Sequence, residues 1–158
     1  MVDDNAKTLV MKFGGTSVGS VKAMKNVLEI VQSNLGEWKR LVVVTSAMTG
    51  VTDLLLKSAL DASKGETRTF HQSAFELQKR HEELIDAFVP DIARKSQVKQ
   101  EVRHLITDFS NLCNAIAVLG EATPRAIDAV ASLGERICAR VLAASLEATC
   151  GIKSQMVE

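Results

Sequence analysis

The chain has 158 residues, 46% of them hydrophobic and 24% charged, which is enough for one domain with a sizeable core. Lysine plus arginine number 19, as do aspartate plus glutamate, and this balance argues against the basic surface of a nucleic-acid-binding protein. No apolar run approaches the roughly 20 residues of a membrane-spanning helix, so neither nucleic acid nor a membrane is expected as a partner.

Targeting and cysteine usage indicate a cytoplasmic protein. The polar N-terminus has neither the basic nor the apolar region of a signal peptide. The cysteines, Cys113, Cys138 and Cys150, lack zinc-type spacing, and their odd number argues against a closed set of disulfides. We therefore expect free thiols in a reducing cytosol.

The first strand is predicted at Leu9 to Phe13, and two glycines and small hydroxyl residues follow it. Lys12 lies at the strand's end, and a helix is predicted over residues 20–34. A cation, exposed backbone amides and a helix N-terminus at one point suit a phosphate or another anion. Neither the P-loop order nor the Gly-x-Gly-x-x-Gly pattern is present. The alternative is a tight turn in which Gly14 and Gly15 supply a positive φ.

A second strand is predicted at Leu41 to Thr45, whose continuous β-branched run is typical of a strand covered on both faces. A loop of small residues, 46–50, leads into a helix over residues 51–63. Strand, helix, strand and helix at this spacing predict a parallel β-α-β unit. Because such sheets bind ligands at the carboxyl ends of their strands, we place the site at loops 14–17 and 46–50.

Two long helices are predicted next, over residues 67–89 and 96–119, and no strand signal interrupts residues 66–147. The fold class is therefore α/β, with a mainly parallel sheet and a helical excursion at about 66–120 that forms a helix hairpin. The three histidines lie on these helices without a metal-binding pattern. We expect surface or packing roles for all of them, namely His71, His81 and His104.

A last helix is predicted from Pro124, and it carries one notable carboxylate. Glu135 projects from a small, mostly apolar surface, beside a polar row formed by Arg136 and Arg140. Gly134 costs the helix about 1 kcal/mol relative to alanine, which indicates the close approach of another backbone or of a ligand. The alternative is an ordinary boundary carboxylate that pairs with one of these arginines.

Three segments carry a resemblance to the aspartate kinases of the amino acid kinase family. Lys-Phe-Gly-Gly-Thr-Ser-Val at residues 12–18 resembles their signature, and residues 43–55 are similar to their second-strand segment. Residues 132–140 resemble their Gly-Glu-Arg-Leu-Ser helix, although Cys138 stands where the family usually has serine. The segments occur in the family's order, and the resemblance implies its three-layer α/β fold with a mainly parallel central sheet.

The resemblance also implies roles for the matching residues. Lys12 would be the catalytic residue, in contact with the phosphates of ATP and with the transferring phosphoryl group. Thr52 would contact aspartate, Glu135 would hold its amino group, and Ser46 would line the same pocket. A carboxylate that attacks the γ-phosphoryl group needs no general base, so positioning and charge neutralisation would carry the reaction. The implied ATP-binding residues are Lys12, Phe13, Gly14, Gly15, Thr16 and Ser17.

The implied activity is transfer of phosphate from ATP to L-aspartate, which gives 4-phospho-L-aspartate for lysine, threonine and methionine synthesis. The implied cofactors are ATP and Mg²⁺, and the full-length enzyme would be a homo-oligomer. Residues 1–158 would be the N-terminal, amino-acid-binding lobe, without the nucleotide-binding half, which supplies most magnesium contacts, and without the regulatory ACT domains. No residue of this chain is expected to bind a metal. A strand-like start at residues 152–157 fits such an interrupted domain.

Two alternatives stay open. The chain could be a non-catalytic amino-acid-binding or assembly module derived from such a lobe, or a sister kinase that acts on another amino acid. For the lobe alone we expect weak ATP binding and no turnover, because only the phosphate loop is present.

Overall fold

The computed structural model describes residues 7–157, which form two strands and six helices. Every strand and helix predicted up to residue 150 is present. One short helix, α1, adds a turn between the glycines and the first long helix. None of the helices described is long and apolar enough to cross a membrane. In chain order the elements are β1 (Thr8–Phe13), α1 (Gly15–Val18), α2 (Val21–Asn34), β2 (Arg40–Thr45), α3 (Val51–Ala62), α4 (Thr67–Phe88), α5 (Ile92–Leu119) and α6 (Pro124–Cys150).

The two strands pair in parallel, as predicted, and α2 connects them. The register runs from Thr8 opposite Arg40 to Phe13 opposite Thr45, so both strands end at the same edge of the sheet. α2 begins where the Ser20 side chain accepts a hydrogen bond from the amide of Ala23 at 3.2 Å. Its apolar face is buried and consists of Met24, Val27, Leu28 and Val31.

The prediction that the second strand is covered on both faces is wrong for residues 7–157. Val10, Val42 and Val44 share one face, and they are 62%, 45% and 42% exposed. The other face packs against the core through Met11, Phe13, Leu41 and Val43. A run of valines shows that a strand is apolar on both faces, but it does not show which elements cover them.

The predicted helical excursion is a hairpin formed by α4 and α5. Glu82 pairs with Arg103 at 2.8 Å and Asp86 pairs with Lys99 at 2.8 Å, so the two helices run antiparallel. α5 begins at Ile92 rather than at residue 96, because the Asp91 carboxylate accepts a hydrogen bond from the amide of Arg94 at 2.7 Å.

The last helix, α6, joins the sheet to the hairpin because it packs against β2, α2, α3, α4 and α5. Of the three histidines, His81 is buried and its Nδ1 lies 2.7 Å from the carbonyl oxygen of Leu77, whereas His71 and His104 are exposed. The expected surface and packing roles are therefore confirmed. Gly151 ends α6 with φ 66°, but residues 152–157 form no regular secondary structure and pair with neither β1 nor β2.

Candidate functional site

The two loops that follow the strands meet at the carboxyl edge of the sheet, as predicted. The amide of Ser46 donates a hydrogen bond to the carbonyl oxygen of Phe13 at 3.1 Å. The amide of Thr49 donates to the carbonyl oxygen of Gly15 at 3.2 Å. The β ladder therefore continues into the loops and places Ser46 beside the glycine loop.

Gly15 is required by the close approach of these loops. A Cβ atom at this position would lie 2.7 Å from the carbonyl oxygen of Ala47 and 3.2 Å from the amide nitrogen of Thr49. Gly14 and Gly15 do not have positive φ angles, and that of Gly14 is −79°. The alternative explanation, a turn that needs positive φ, is therefore wrong.

Gly14 has no comparable structural reason to be glycine. A Cβ atom there would meet nothing within 4 Å, and its φ and ψ of −79° and 172° are open to any residue. The open space lies next to the last residues of β1, where Lys12 is exposed. Bare backbone beside a lysine fits the close approach of a phosphate group.

Two helices begin at this edge. Gly14 precedes α1, and Gly50, with φ 75°, precedes α3, whose second residue is the half-buried Thr52. The first amides of a helix lack partners within the helix and carry partial positive charge. The exposed carboxylate of Asp53 lies in the same turn of α3. The start of α3 can therefore attract a carboxylate ligand, although Asp53 offsets part of that attraction.

Gly134 brings α6 against the second loop. A Cβ atom on Gly134 would lie 2.8 Å from Cβ of Ala47 and 3.1 Å from Cγ1 of Val51. A close approach at this glycine exists, but its partners are side chains of the loop and of α3, so the prediction of another backbone or a ligand at this point is wrong. The contact places Glu135, which is half-buried, near the loop that leads to Thr52. Pairing of Glu135 with a neighbouring arginine stays a prediction.

Cys138, where the resemblance predicts serine, touches the same edge. Its Sγ lies 3.5 Å from Oγ1 of Thr45, which donates a hydrogen bond to the carbonyl oxygen of Ser46 at 3.1 Å. Burial raises the pKa of the Cys138 thiol to about 11, and the charge of Glu135 acts in the same direction. The residue is thus a protonated, weak hydrogen-bond donor behind the site.

A groove of about 910 Å³ extends from this edge along β2. Thr45 and Glu135 are among the residues that line it, and α6 and residues 152–157 form its walls. Thr45 is not among the site residues predicted from the sequence, although a hydroxyl at the end of a strand is a visible signal. Neither is Arg80 of α4, whose Nη2 donates a hydrogen bond to the carbonyl oxygen of Thr49 at 2.7 Å. No local pattern marks that arginine.

The described part of the chain does not fit a metal ion. Between residues 7 and 157 no group of three His, Cys, Asp or Glu side chains could hold one.

Comparison with known proteins places these features in a family context. A model of the amino acid kinase family matches residues 7–157. The aspartokinase of Schizosaccharomyces pombe is 28% identical over 99% of the chain, and the chloroplastic aspartokinase 1 of Arabidopsis thaliana is 31% identical over 99%. The chain spans only 31% and 26% of the lengths of these two relatives.

Solved structures agree with this match. E. coli aspartokinase III in complex with lysine and aspartate, in the T-state, is 26% identical with a TM-score of 0.70. The alignment covers 90% of this chain and 29% of that one. The same enzyme with aspartate and ADP, in the R-state, has a TM-score of 0.65 at 24% identity. The likeness confirms the predicted α/β fold class.

Proposed function

Because the chain belongs to the amino acid kinase family, we propose that it is the aspartate-binding lobe of an aspartate kinase. The reaction is phosphoryl transfer from ATP to the side-chain carboxylate of L-aspartate, which gives 4-phospho-L-aspartate for lysine, threonine and methionine synthesis. In this proposal residues 1–158 form the N-terminal lobe. The remaining nucleotide contacts and the ACT domains come from a longer protein, in keeping with the 26–31% of relatives that the chain spans.

The observation that carries the proposal is the open backbone at Gly14 beside the exposed Lys12. The Lys12 ammonium group neutralises charge on the phosphoryl group as it moves, and glycine lets the chain approach the phosphates. A carboxylate nucleophile is already ionised at neutral pH, so the lobe needs no general base. Its contribution is to hold the aspartate carboxylate next to the γ-phosphoryl group and to neutralise part of their negative charge, which reduces the repulsion between them.

The aspartate side of the site uses opposite charges at two places. The start of α3 and the hydroxyl of Thr52 bind carboxylate oxygens, and Ser46 lines the same pocket. Glu135 binds the ammonium group, so it selects amino acids over simple dicarboxylates. The likeness to a solved aspartokinase with bound aspartate supports this arrangement.

The aspartate site is tested by titrating the chain with L-aspartate and with succinate, which lacks the ammonium group, and following the amide resonances. We expect the wild type to prefer L-aspartate and Glu135→Gln to lose that preference about 10-fold or more, as for a charge-assisted hydrogen bond. The control Glu121→Gln removes an exposed carboxylate in the connection before α6 and should keep the preference. Equal affinity of the wild type for both ligands would contradict the proposal.

The kinase activity is tested on the full-length gene product by aspartate-dependent release of ADP. Lys12→Ala should abolish turnover while the circular dichroism spectrum is retained, because Lys12 is exposed and not part of the core. Lys22→Ala removes an exposed lysine from α2 and serves as the matched control. No aspartate-dependent ADP from the wild type would exclude an aspartate kinase.

A second candidate is a non-catalytic amino-acid-binding module. Binding of L-aspartate without ADP release by the full-length product would support it, and turnover would exclude it. A kinase that acts on another amino acid would show ADP release with that substrate instead.

A further inference from the structure

One contact at the site has no role in the function proposed above. Nη2 of Arg80 donates a hydrogen bond to the carbonyl oxygen of Thr49, which lies in the loop between Ser46 and Thr52. We propose that Arg80 is a positioning residue that holds this loop in the shape that aspartate binding requires. The inference rests on the proposed function, because that function assigns aspartate to this loop.

Thr49 is hydrogen-bonded to two other parts of the chain, and its side chain packs beside Gly19. Its carbonyl oxygen accepts from Arg80 at 2.7 Å, and its amide donates to the carbonyl oxygen of Gly15 at 3.2 Å. Its Oγ1 lies 3.0 Å from the position that a Cβ atom of Gly19 would take. Arg80 is the partner that comes from outside the two loops, so it ties their relative position to α4.

The held peptide group lies in the turn that leads into α3. Gly50 follows Thr49 and has a φ of 75°. Glycine adopts this angle without steric cost because it has no side chain. Without Arg80 the carbonyl oxygen of Thr49 would have no protein partner among those described, and rotation of the Thr49–Gly50 peptide would be opposed by one fewer contact, leaving the hydrogen bond from the Val51 amide to the carbonyl oxygen of Met48 at 2.9 Å to span it. Such rotation would move the start of α3, where Thr52 lies.

α4 is a firm base for this contact. The residues that flank Arg80 on its core side, Leu77 and His81, are both fully buried. Further along α4, Ser73 accepts a hydrogen bond from the buried hydroxyl of Ser58 at 2.8 Å, which ties α4 to α3. The loop between β2 and α3 is thus fixed at two separate points of α4, by Ser73 through α3 and by Arg80 directly.

The hydrogen bond between Arg80 and Thr49 lies at the surface, which indicates that it shapes the binding loop more than it stabilises the whole fold. Thr49 is exposed and Arg80 is half-buried, and solvent-exposed charged contacts contribute little to global stability. A displacement of about 1 Å in a binding loop, however, has large effects on a bound substrate. Loss of Arg80 should therefore change the loop and its ligand while the fold remains.

The test compares Arg80→Met, Arg80→Lys and the control Lys79→Met, whose exposed lysine precedes Arg80 on α4. Hydrogen exchange of the Thr49 amide and affinity for L-aspartate are measured by NMR on the chain. For Arg80→Met we expect exchange about 5- to 10-fold faster and a similar loss of affinity, as for one net hydrogen bond. Amides of the β1–β2 ladder and the urea midpoint should not change.

Arg80→Lys should restore part of both effects, since an ammonium group supplies a donor without the planar fork of arginine. Lys79→Met should match the wild type. Unchanged exchange and affinity in Arg80→Met would overturn the proposal, and so would faster exchange of all amides together with a lower urea midpoint. If the wild type does not bind L-aspartate, the proposed function fails, and exchange of the Thr49 amide alone decides whether Arg80 holds the loop.

Discussion

The adjacent glycines after β1 differ in the reason for their presence. Gly15 lies where a Cβ atom would overlap the carbonyl oxygen of Ala47, so the packing of the two loops requires it. Gly14 has an ordinary backbone and open space beside it. The sequence shows only a pair of glycines, because the atoms that distinguish them belong to a loop that is distant along the chain.

This difference predicts opposite effects of two neighbouring substitutions. Gly14→Ala should keep or slightly raise the free energy of unfolding, by about 0.5 kcal/mol, because alanine restricts the unfolded chain. Gly15→Ala should lower it by about 1–3 kcal/mol, as overpacking does. Urea unfolding of the chain measures both. In the full-length product, Gly14→Ala should also slow aspartate-dependent ADP release.

Each variant serves as the control for the other, since the chemical change is identical. A loss of stability in Gly14→Ala as large as that in Gly15→Ala would show that Gly14 is needed by the fold. The open space at Gly14 would then no longer support a phosphate site.

At the scale of elements, short apolar runs predicted both strands, and apolar positions with helical period predicted all the long helices. What they did not predict depends on contacts between distant residues. α5 begins early because of a capping side chain, Asp91, and one face of the sheet is open because no element of residues 7–157 covers it. The residues of the candidate site likewise fall into those that local sequence motifs predict and those that only distant contacts bring into the site. Lys12 and Glu135 lie in short motifs that the sequence shows, whereas the contact of Arg80 with Thr49 joins residues 31 positions apart.

Ion pairs hold the α4–α5 hairpin together, and their contribution to stability depends on pH because their carboxylates can be protonated. The hydrogen bond from Lys99 holds the pKa of Asp86 below its ordinary value. For Glu82, partial burial raises the pKa, but hydrogen bonds from Gln78 and Arg103 and the nearby cations together lower it below its ordinary value. Carboxylates with lowered pKa values stabilise the fold above the ordinary value of about 4, and this contribution is lost as the pH falls through the lower folded value.

We therefore expect Lys99→Met to lower the free energy of unfolding at pH 7 by about 1 kcal/mol, as partly exposed ion pairs do. At pH 3 the difference from the wild type should be smaller, since the carboxylates of the unfolded chain are then largely protonated and those of the folded chain take up protons as the pH falls further. Urea unfolding at the two pH values measures the effect, and Lys79→Met is the control outside the network. An equal loss at both pH values would assign the effect to packing of the lysine stem.

At the scale of the whole molecule, α6 makes the core continuous. It touches the sheet on one side and the hairpin on the other, and the buried residues of both regions belong to one cluster. We therefore expect a single cooperative unfolding transition for the chain. A titrating group buried anywhere in this core should then affect the stability of the whole fold.

His81 is such a group. Burial lowers its pKa to about 4, the charge of Arg80 acts in the same direction, and the hydrogen bond with the carbonyl oxygen of Leu77 opposes them. Its Nε2 is buried without a hydrogen-bond partner among the described residues. In the unfolded chain the pKa returns to about 6.5, so between these values the unfolded state binds more protons than the folded state. Stability is therefore greatest above the unfolded value and falls as the pH drops from about 6.5 towards 4.

From these values we expect the wild type to lose about 2 kcal/mol of unfolding free energy between pH 7 and pH 5, where carboxylates titrate little. His81→Leu should remove most of this loss, because leucine does not titrate and leaves no unpaired nitrogen in the core. His104→Leu replaces an exposed histidine and should keep the wild-type pH dependence. Urea midpoints of the three proteins at both pH values measure the effect. If His81→Leu lost as much stability as the wild type on acidification, the proton uptake would have to occur elsewhere than at His81.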